Sequence, residues 1–333
     1  MIMKYTLKNY KSIDVFTRQK HIKFIKDKFE RKLSKSLNLI RVSAPILVTK
    51  ESGLQDDLTG VERKVCFDIK KDGKELEIVQ SLAKWKRFAL DKYNIPVGKG
   101  IYTDMLAIRR DDEMDNLHSI YVDQWDWEKH IRVDDKNYKY LKNVVEKIVN
   151  CIYETNELLD LPQSKKVEIC KDVYFISSQD LLTMYPDKSA KEREYLITKE
   201  YKTVFITQIG KILDDGMPHD KRAPDYDDWS LNGDLLFYHK TLDCALEVSS
   251  MGIRVDKDAL INQLELANAN DRLNLQYHQS ILNDKLPCSI GGGIGQSRLC
   301  MLLLGCAHIG EVQASYWDKE NLEKCKINNI DLL

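Results

Sequence analysis

A glycine-rich stretch from Ser289 to Arg298 constrains the fold of this chain more than any other feature. It reads SIGGGIGQSR and runs directly into the apolar segment 299–304. The pattern predicts a short strand, a cluster of four glycines, and an apolar helix with Arg298 in its first turn. Glycines let the backbone approach a flat or phosphorylated ligand, while a helix start and an arginine attract anions. The stretch therefore indicates a nucleotide or another anion, unless it is only a tight turn required for packing.

Two familiar glycine motifs do not fit the spacing of this stretch. A dinucleotide fingerprint needs G-x-G-x-x-G at the start of a βαβ unit, but Gln296 stands at the third glycine position here. A P-loop needs G-x-x-x-x-G-K-[ST], and no lysine lies near these glycines. A different kind of nucleotide site is therefore expected.

The composition is that of an ordinary globular protein, and it argues against several classes of function. Lys and Arg number 51 against 52 for Asp and Glu, so an overall basic surface for nucleic acid is not expected. There is no apolar run of about 18 residues, and the first ten residues lack the apolar core of a signal peptide, so no membrane partner is expected. Eight cysteines without a C-x-x-C pair and seven histidines without H-E-x-x-H favour reduced thiols in the cytoplasm and argue against zinc.

Alternating patterns of apolar residues predict helices and strands in a mixed order. Between residues 18 and 37, apolar residues recur at steps of three and four, which predicts an amphipathic helix. Further helices are predicted at 81–88, 136–160 and 256–282, and strands at 65–69, 75–79, 101–108, 118–128, 173–176, 204–209, 235–238 and 241–248. Because strands come in pairs with helices between them, we expect a single α+β domain over residues 1–333, with an antiparallel sheet flanked by helices.

Two polar segments stand out against this apolar pattern. In the strand 118–128, the side chains of Gln124, Asp126 and Glu128 share one face. Such a face fits either an edge strand that meets solvent or the polar floor of a binding site. The loop 53–60 is bracketed by glycines and contains acidic residues, which are ordinarily only solvated.

Charged side chains in two other segments allow more specific expectations. Lys84, Lys86 and Arg87 cannot lie on one helical face, so we expect Lys86 to point inward and its neighbours to be solvated. In the strand 241–248, Asp243 and Glu247 share a face. Two carboxylates near phosphate-binding arginines would suit Mg²⁺, which takes few protein carboxylates together with phosphate oxygens.

The segment from Gly293 to Met301 resembles the third signature motif of class II aminoacyl-tRNA synthetase catalytic domains. In that motif the arginine, here Arg298, lies against the adenine and phosphates of ATP. Arg109, followed by a loop and a returning strand, resembles the second motif, whose arginine grips the α-phosphate. The helix 18–37, leading to a strand and Pro45, resembles the first motif, which forms the dimer interface in that family, although the pattern alone fits an ordinary helix–strand packing unit equally well.

Five longer strings are similar to the ammonia-dependent asparagine synthetase (aspartate–ammonia ligase) family, a stand-alone relative of these catalytic domains. The strings are SLAKWKR at 81–87, YVDQWDWE at 121–128, RAPDYDDWS at 222–230, SSMGIRVD at 249–256 and GGGIGQSR at 291–298. The resemblance covers essentially the whole chain. It implies a class II aminoacyl-tRNA synthetase-like catalytic domain, a homodimer, and the use of ATP with Mg²⁺.

The resemblance also implies a reaction in two steps. The β-carboxylate of aspartate attacks the α-phosphate of ATP to give β-aspartyl-AMP and pyrophosphate, and ammonia then displaces AMP to give asparagine. The residues expected near ATP are Arg109, Asp227, Glu247 and Arg298, and those expected around aspartate are Asp56, Lys86, Gln124, Ser250 and Arg254. Asp56, Arg109 and Arg298 are the expected catalytic residues, and Asp234 and Glu247 are the candidate metal ligands. Asp56 either binds the amino group of the substrate or helps to deprotonate ammonium.

Two positions depart from the family pattern. Gln80 stands where many members have histidine, and the join at 229–233 is shorter than in some members.

Three alternative functions fit the sequence less well. A tRNA synthetase would need a tRNA-reading module, for which the motifs leave no room. A non-catalytic paralogue would lack the two arginines, and glutamine-dependent asparagine synthesis would need an amino-terminal cysteine where this chain has Ile2. Ammonia is therefore the expected nitrogen source.

Overall fold

A computed structural model describes residue 7 and residues 10–56, 58, 61–162 and 166–333. The interpretation of the first ten residues therefore falls mostly outside the described residues. The same holds for Asp57, Thr59 and Gly60 in the loop 53–60.

The described residues form helices and strands throughout the chain. The helices are α1 Val15–Leu37, α2 Ala83–Lys92, α3 Tyr138–Glu157, α4 Ser178–Met184, α5 Ala190–Tyr201, α6 Lys257–Leu266, α7 Gln276–Leu282, α8 Gln296–Leu304 and α9 Lys319–Ile327. The strands are β1 Leu39–Arg41, β2 Leu47–Val48, β3 Cys66–Asp68, β4 Glu75–Ile78, β5 Gly100–Ile108, β6 Tyr121–His130, β7 Tyr174–Ser177, β8 Thr203–Thr207, β9 Asp227–His239, β10 Cys244–Arg254 and β11 Ser289–Gly295. Within these residues no helix is both long and apolar enough to cross a lipid bilayer.

The main sheet in the described part of the chain has eight strands, in the order β1-β5-β6-β11-β10-β9-β8-β7. Its interior pairs are antiparallel, and only the outermost pairs, β1 with β5 and β7 with β8, are parallel. A small antiparallel sheet, β2-β4-β3, stands beside it. The predicted α+β class with an antiparallel sheet is confirmed. Because β6 lies inside the main sheet, the alternative that it is a solvent-facing edge is wrong.

One face of the sheet is covered by apolar helices. Trp125 and Trp127 of β6 are buried in a core shared with α1 and α3, and the ring centroids of Phe29 and Trp125 are 4.8 Å apart. The predicted apolar stripe of α1 is fully buried in this core. Since side chains alternate along a strand, Gln124, Asp126 and Glu128 project from the opposite face, as the sequence predicts. That face is left for polar chemistry.

Local capping explains several helix boundaries. The Asp14 side chain accepts a hydrogen bond from the Thr17 N–H at the start of α1. Asn38 ends this helix with a φ of 61°, a left-handed conformation that asparagine tolerates. Gly295 is the N-cap of α8, whose apolar residues from Leu299 onward are buried, so the predicted glycine-to-helix transition is confirmed.

Three expectations from the sequence are wrong. The long helix at 256–282 is broken after Leu266, because Asn268 takes a φ of 51° and a short 3₁₀ turn precedes α7. Lys84 and Arg87 are buried with Lys86, because neighbouring segments cover α2 on more than one side. Asp243 lies in the turn before β10, where Tyr195 and Tyr238 donate hydrogen bonds to it, and so it does not share a strand face with Glu247.

Candidate active site

A cavity of about 350 Å³ lies over β6, β10 and β11 on the polar face of the sheet. Of the ten site residues predicted from the sequence, nine line this cavity: Asp56, Lys86, Arg109, Gln124, Asp227, Glu247, Ser250, Arg254 and Arg298. The tenth, Asp234, is buried beside the cavity without lining it. The predicted residues are therefore brought together from seven separate parts of the chain into one space.

The glycines of β11 make room for side chains from the neighbouring strand β6. A Cβ atom at Gly291 would lie 1.9 Å from Glu128 Oε2, and one at Gly293 would lie 2.2 Å from Gln124 Oε1. Neither distance is physically possible. Only glycine at these two positions of β11 allows the Glu128 and Gln124 side chains to pass directly over its backbone. The sequence predicted close approach of a ligand, whereas the observed close approach is by the protein's own side chains.

Arg254 connects two acidic residues on the floor of the cavity. Its Nε and Nη2 atoms donate to the Glu128 carboxylate over 2.9 Å and 2.6 Å, and its Nη1 atom pairs with Asp227. Burial opposes ionisation of Glu128, but Arg254 holds its pKa below the ordinary value. Burial raises the pKa of Asp227 despite the same arginine. Because a guanidinium has five N–H donors, Arg254 keeps donors for a substrate carboxylate.

Lys86 and Asp126 form a buried pair at the centre of the floor. Lys86 Nζ lies 2.5 Å from Asp126 Oδ1 and donates to the Gly292 carbonyl over 3.0 Å. Burial lowers the pKa of Lys86, and Asp126 opposes that effect. The other oxygen of Asp126 is buried without a hydrogen-bond partner among the described residues. Asp126 was not predicted as a site residue, although its shared strand face with Gln124 could have identified it.

Two arginines define another part of the cavity. Arg298 donates to the Glu247 carbonyl over 3.0 Å, and Arg109 donates to the Gln80 carbonyl over 3.2 Å. Each arginine is thereby held by main-chain oxygen and keeps other N–H groups for a ligand. Burial opposes ionisation of the Glu247 side chain, but Arg298, Lys191 and Arg222 together hold its pKa below the ordinary value. No described residue donates a hydrogen bond to that carboxylate.

Arg222 is a cavity residue that the sequence reasoning missed. Its Nη2 atom lies 2.5 Å from Asp234 Oδ1, and its Nη1 atom donates to Ser250 Oγ over 2.7 Å. Burial and the nearby Glu247 raise the pKa of Asp234 to about 6, although Arg222 acts in the opposite direction. Arg222 is the first residue of the string at 222–230 that resembles the aspartate–ammonia ligase family, so the sequence could have identified it through that string.

Asp56 is a buried carboxylate without a cationic partner among the described residues. It is 1% exposed, and its Oδ1 atom accepts the Leu58 N–H over 2.8 Å. Burial raises its pKa, and Lys84 opposes this effect. A buried carboxylate that lines a cavity in this way suits a positively charged amine.

The start of α8 is partly occupied by one of the protein's own carboxylates, and Gln80 lies outside the cavity lining. The Ser297 N–H donates to Asp123 Oδ1 over 3.1 Å, so this helix start is not entirely free for an anion. Gln80 is fully buried and does not line the cavity; its side chain donates to the Arg63 carbonyl over 3.4 Å. Residues 229–233, where some family members carry an extra loop, form part of the uninterrupted strand β9. Among the described residues there is no cluster of three or more side chains suited to a metal ion.

Sequence comparison relates nearly the whole chain to one family. A family model described as aspartate-ammonia ligase matches residues 16–329. The aspartate–ammonia ligase of Ruminiclostridium cellulolyticum is 52% identical over 97% of this chain and 96% of its own length. Those of Clostridium tetani and Fusobacterium nucleatum are 55% and 53% identical, over 94% and 97% of this chain and 92% and 98% of their own lengths.

Comparison with solved structures identifies the fold. The asparaginyl-tRNA synthetase of Pyrococcus horikoshii, complexed with asparaginyl-adenylate, has a TM-score of 0.61 and 16% identity, covering 91% of this chain and 70% of the synthetase. The aspartyl-tRNA synthetase of Entamoeba histolytica also has a TM-score of 0.61 and 16% identity, over 91% of this chain and 58% of its own. At this level of identity the likeness concerns the fold alone. The predicted class II aminoacyl-tRNA synthetase-like fold is confirmed.

Proposed function

Because this chain belongs to the aspartate–ammonia ligase family, we propose that it converts L-aspartate and ammonia to L-asparagine with ATP, releasing AMP and pyrophosphate. One observation carries this proposal: residues expected for ATP and residues expected for aspartate line the same cavity. The relatives named above, which bear the name of this activity, share more than half of their residues with this chain over most of its length.

The proposed chemistry proceeds through β-aspartyl-AMP. A β-carboxylate oxygen forms a bond to the α-phosphorus, and the bond from that phosphorus to the β-phosphate bridge breaks to release pyrophosphate. Ammonia then forms the C–N bond while the C–O bond to AMP breaks. Ammonium loses two protons on the way to the amide, one before attack and one after it. The enzyme's part is mainly to position these groups and to stabilise charge.

We assign the phosphates of ATP to Arg109 and Arg298. Both side chains line the cavity, and each is held at one N–H group by a main-chain carbonyl. Permanent cations held in this way stabilise the negative charge that builds up at a phosphate during transfer. The ion pair of Asp227 with Arg254 supports a position for Asp227 where AMP and aspartate meet.

Mg²⁺ is the proposed companion of ATP, and Glu247 fits it best. The Glu247 carboxylate lines the cavity, stays ionised, and receives no hydrogen bond from any described residue. Mg²⁺ is commonly held by one or two carboxylates together with substrate phosphates, whose charge it neutralises. Asp234 is the second candidate ligand and fits less well, because Arg222 already holds one of its oxygens.

Aspartate is assigned to the floor of the cavity. Lys86 and Arg254 supply positive charge for its carboxylates, and Ser250 and Gln124 supply polar contacts. The unpartnered oxygen of Asp126 adds an acceptor for the α-amino group. Asp56 is assigned to a cationic amine, either that amino group or the incoming ammonium.

The remaining assignments concern assembly and location. We propose a single catalytic domain, since the main sheet contains both β1, which begins at Leu39, and β11, which ends at Gly295. We propose a homodimer, since Ile40 on the edge strand β1 and Ile46 nearby are about half exposed; sedimentation equilibrium tests this. All eight cysteines lie within the described residues, and none of them forms a disulfide, which favours the cytoplasm; fractionation of the source cells tests this.

Product analysis of the purified chain tests the proposed function. Aspartate, ATP and Mg²⁺ are incubated with ammonium, with glutamine, or with neither, and asparagine and AMP are quantified by mass spectrometry. Asparagine should form with ammonium and without tRNA, in equal amount to AMP. Failure to form asparagine from aspartate under all three conditions would overturn the proposal.

A further inference from the structure

A buried charge cluster lies behind the cavity, and the proposed mechanism does not use it. Its centre is Asp225 Oδ2, which lies 2.7 Å from Lys84 Nζ, 3.0 Å from His278 Nε2 and 3.1 Å from Arg272 Nη1. The side chains of Lys84, Asp225 and His278 are at most 1% exposed. None of the four side chains is among those lining the cavity in the described part of the chain. Burying such a group is costly, so it calls for an explanation.

Lys84 links three segments that carry cavity residues. It belongs to α2, two residues before Lys86. Its ammonium group also donates to the Gln55 carbonyl over 3.0 Å, immediately before Asp56 in the chain. Its partner Asp225 lies between the cavity residues Arg222 and Asp227. Lys84 is therefore a fixed point to which the Asp56 segment is attached.

The Asp56 segment has further attachments of the same kind. The Gln55 side chain donates to the Ile78 carbonyl over 2.9 Å and accepts the Gln80 N–H over 2.9 Å. These contacts hold the backbone on one side of Asp56, but they carry no net charge. The contact from Lys84 alone among these three adds a full positive charge close to the Asp56 carboxylate.

We propose that Lys84 is a positioning residue for Asp56: it fixes the backbone that carries Asp56 and, together with Asp225, sets the electrostatic potential at the Asp56 carboxylate. The proposal rests on the proposed function, in which Asp56 receives a cationic amine. A potential that keeps Asp56 ionised favours binding of such a cation.

The charged groups facing Asp56 act in opposite directions. Lys84 from α2 and Arg109 from the end of β5 favour the carboxylate, whereas burial and Asp225 favour the protonated acid. Tyr226, next to Asp225, also interacts with Asp56, and its own pKa is raised mainly by burial. Loss of the Lys84 charge should therefore raise the pKa of Asp56, and loss of the Asp225 charge should lower it.

The experiment compares Lys84→Met and Asp225→Asn with wild type and with Arg87→Met as a matched control. Arg87 is another buried cation on α2, but among the described residues it donates to the carbonyls of Val255 and Pro287 and to no carboxylate. The quantities measured between pH 5 and 9 are kcat/KM for aspartate at a constant concentration of free ammonia and kcat/KM for ammonia at saturating aspartate, because Asp56 receives either amine. The profile whose acid limb is lost in Asp56→Asn is the one that reports Asp56. The acid limb should move up by about one pH unit in Lys84→Met and down in Asp225→Asn. It should stay in place in Arg87→Met.

The outcomes separate this inference from the proposed function. If wild type forms no asparagine, the proposed function itself fails. If wild type is active but the two folded variants move the acid limb in the same direction, or leave it in place, only the role of Lys84 is overturned. If Lys84→Met does not fold, Lys84→Arg is used instead. The acid limb of its pH profile should coincide with that of wild type, while the acid limb of Asp225→Asn should still move down. Any other result overturns the role of Lys84.

Discussion

Lys86 Nζ lies 2.5 Å from Asp126 Oδ1, and both side chains are almost completely buried at the floor of the cavity. This pair joins α2 to β6 and also meets the main chain of β11 through the Gly292 carbonyl. It leaves one Asp126 oxygen without a partner among the described residues. A buried ion pair with an unsatisfied acceptor stabilises a fold poorly. It suits a site for an amino acid, whose ammonium group can donate to the open oxygen.

Separating stability from function at this pair gives the first prediction. Lys86→Met leaves the Asp126 charge buried without compensation, which should cost about 3–5 kcal/mol of unfolding free energy. The double variant Lys86→Met with Asp126→Asn should recover much of that loss in urea denaturation. It should nevertheless form no asparagine, because Lys86, one of the two cations assigned to the carboxylates of aspartate, is absent. An active double variant would remove Lys86 from the substrate site.

The arginines assigned to the phosphates give the second prediction. Arg298→Ala and Arg109→Ala should each lower aspartate-dependent pyrophosphate exchange by on the order of a hundredfold or more, because the charge of the transition state is no longer balanced. The melting temperature should change little, since each side chain faces a ligand space. Arg110→Ala is the matched control, because Arg110 is exposed and does not line the cavity. Near-wild-type exchange in Arg298→Ala would contradict the placement of ATP.

The raised pKa of Asp234 gives the third prediction. Burial and Glu247 raise it to about 6 in the folded protein, from an ordinary value of 3.8. Between these values the folded state holds more protons than the unfolded state, so this group's contribution to stability falls as the pH rises. Relative to Asp234→Asn, wild type should lose up to roughly 3 kcal/mol of unfolding free energy between pH 4 and pH 7.

Urea denaturation of both proteins across this range provides the measurement. Arg222 stays charged throughout, so losing its partner shifts the Asp234→Asn curve by a constant amount without changing its slope. Parallel curves for the two proteins would show that Asp234 does not titrate in this window.

The glycines of β11 give the fourth prediction. Gly291→Ala places a methyl group 1.9 Å from Glu128 Oε2 and 2.4 Å from Arg254 Nη2, which forces the ion pair apart. The variant should lose stability and raise the KM for aspartate sharply. Gly295→Ala is the control, since its nearest contact would be 3.1 Å from the Arg298 Cβ and its backbone has a φ of −61°. A KM for aspartate in Gly291→Ala that stays at the value of wild type and of Gly295→Ala would mean that the Glu128–Arg254 pair is not required.

Local patterns predicted the elements of the fold and the polar face of β6, because helical and strand periodicity is a property of neighbouring residues. The alternation that placed Gln124 and Asp126 on one face opposite Trp125 is an example. The family resemblance then supplied the site residues, and nine of the ten line the cavity.

The sequence could not predict how charged residues pair across long distances in the chain. Lys84 was expected in solvent, yet it is buried against Asp225, which lies far away in sequence. Arg222 was overlooked because its role depends on Asp234 and Ser250 being adjacent across β9 and β10. The broken helix after Leu266 depends on how the asparagine-rich turn packs, which periodicity does not describe.

If the cavity activates the β-carboxylate of aspartate as an adenylate, one β-carboxylate oxygen must pass to AMP. The decisive measurement uses aspartate carrying oxygen-18 at both β-carboxylate oxygens, incubated with the purified chain, ATP, Mg²⁺ and ammonium. Asparagine should retain one labelled oxygen and AMP should gain the other, as read by mass spectrometry. Label in orthophosphate with release of ADP, or unlabelled AMP beside asparagine, would contradict it.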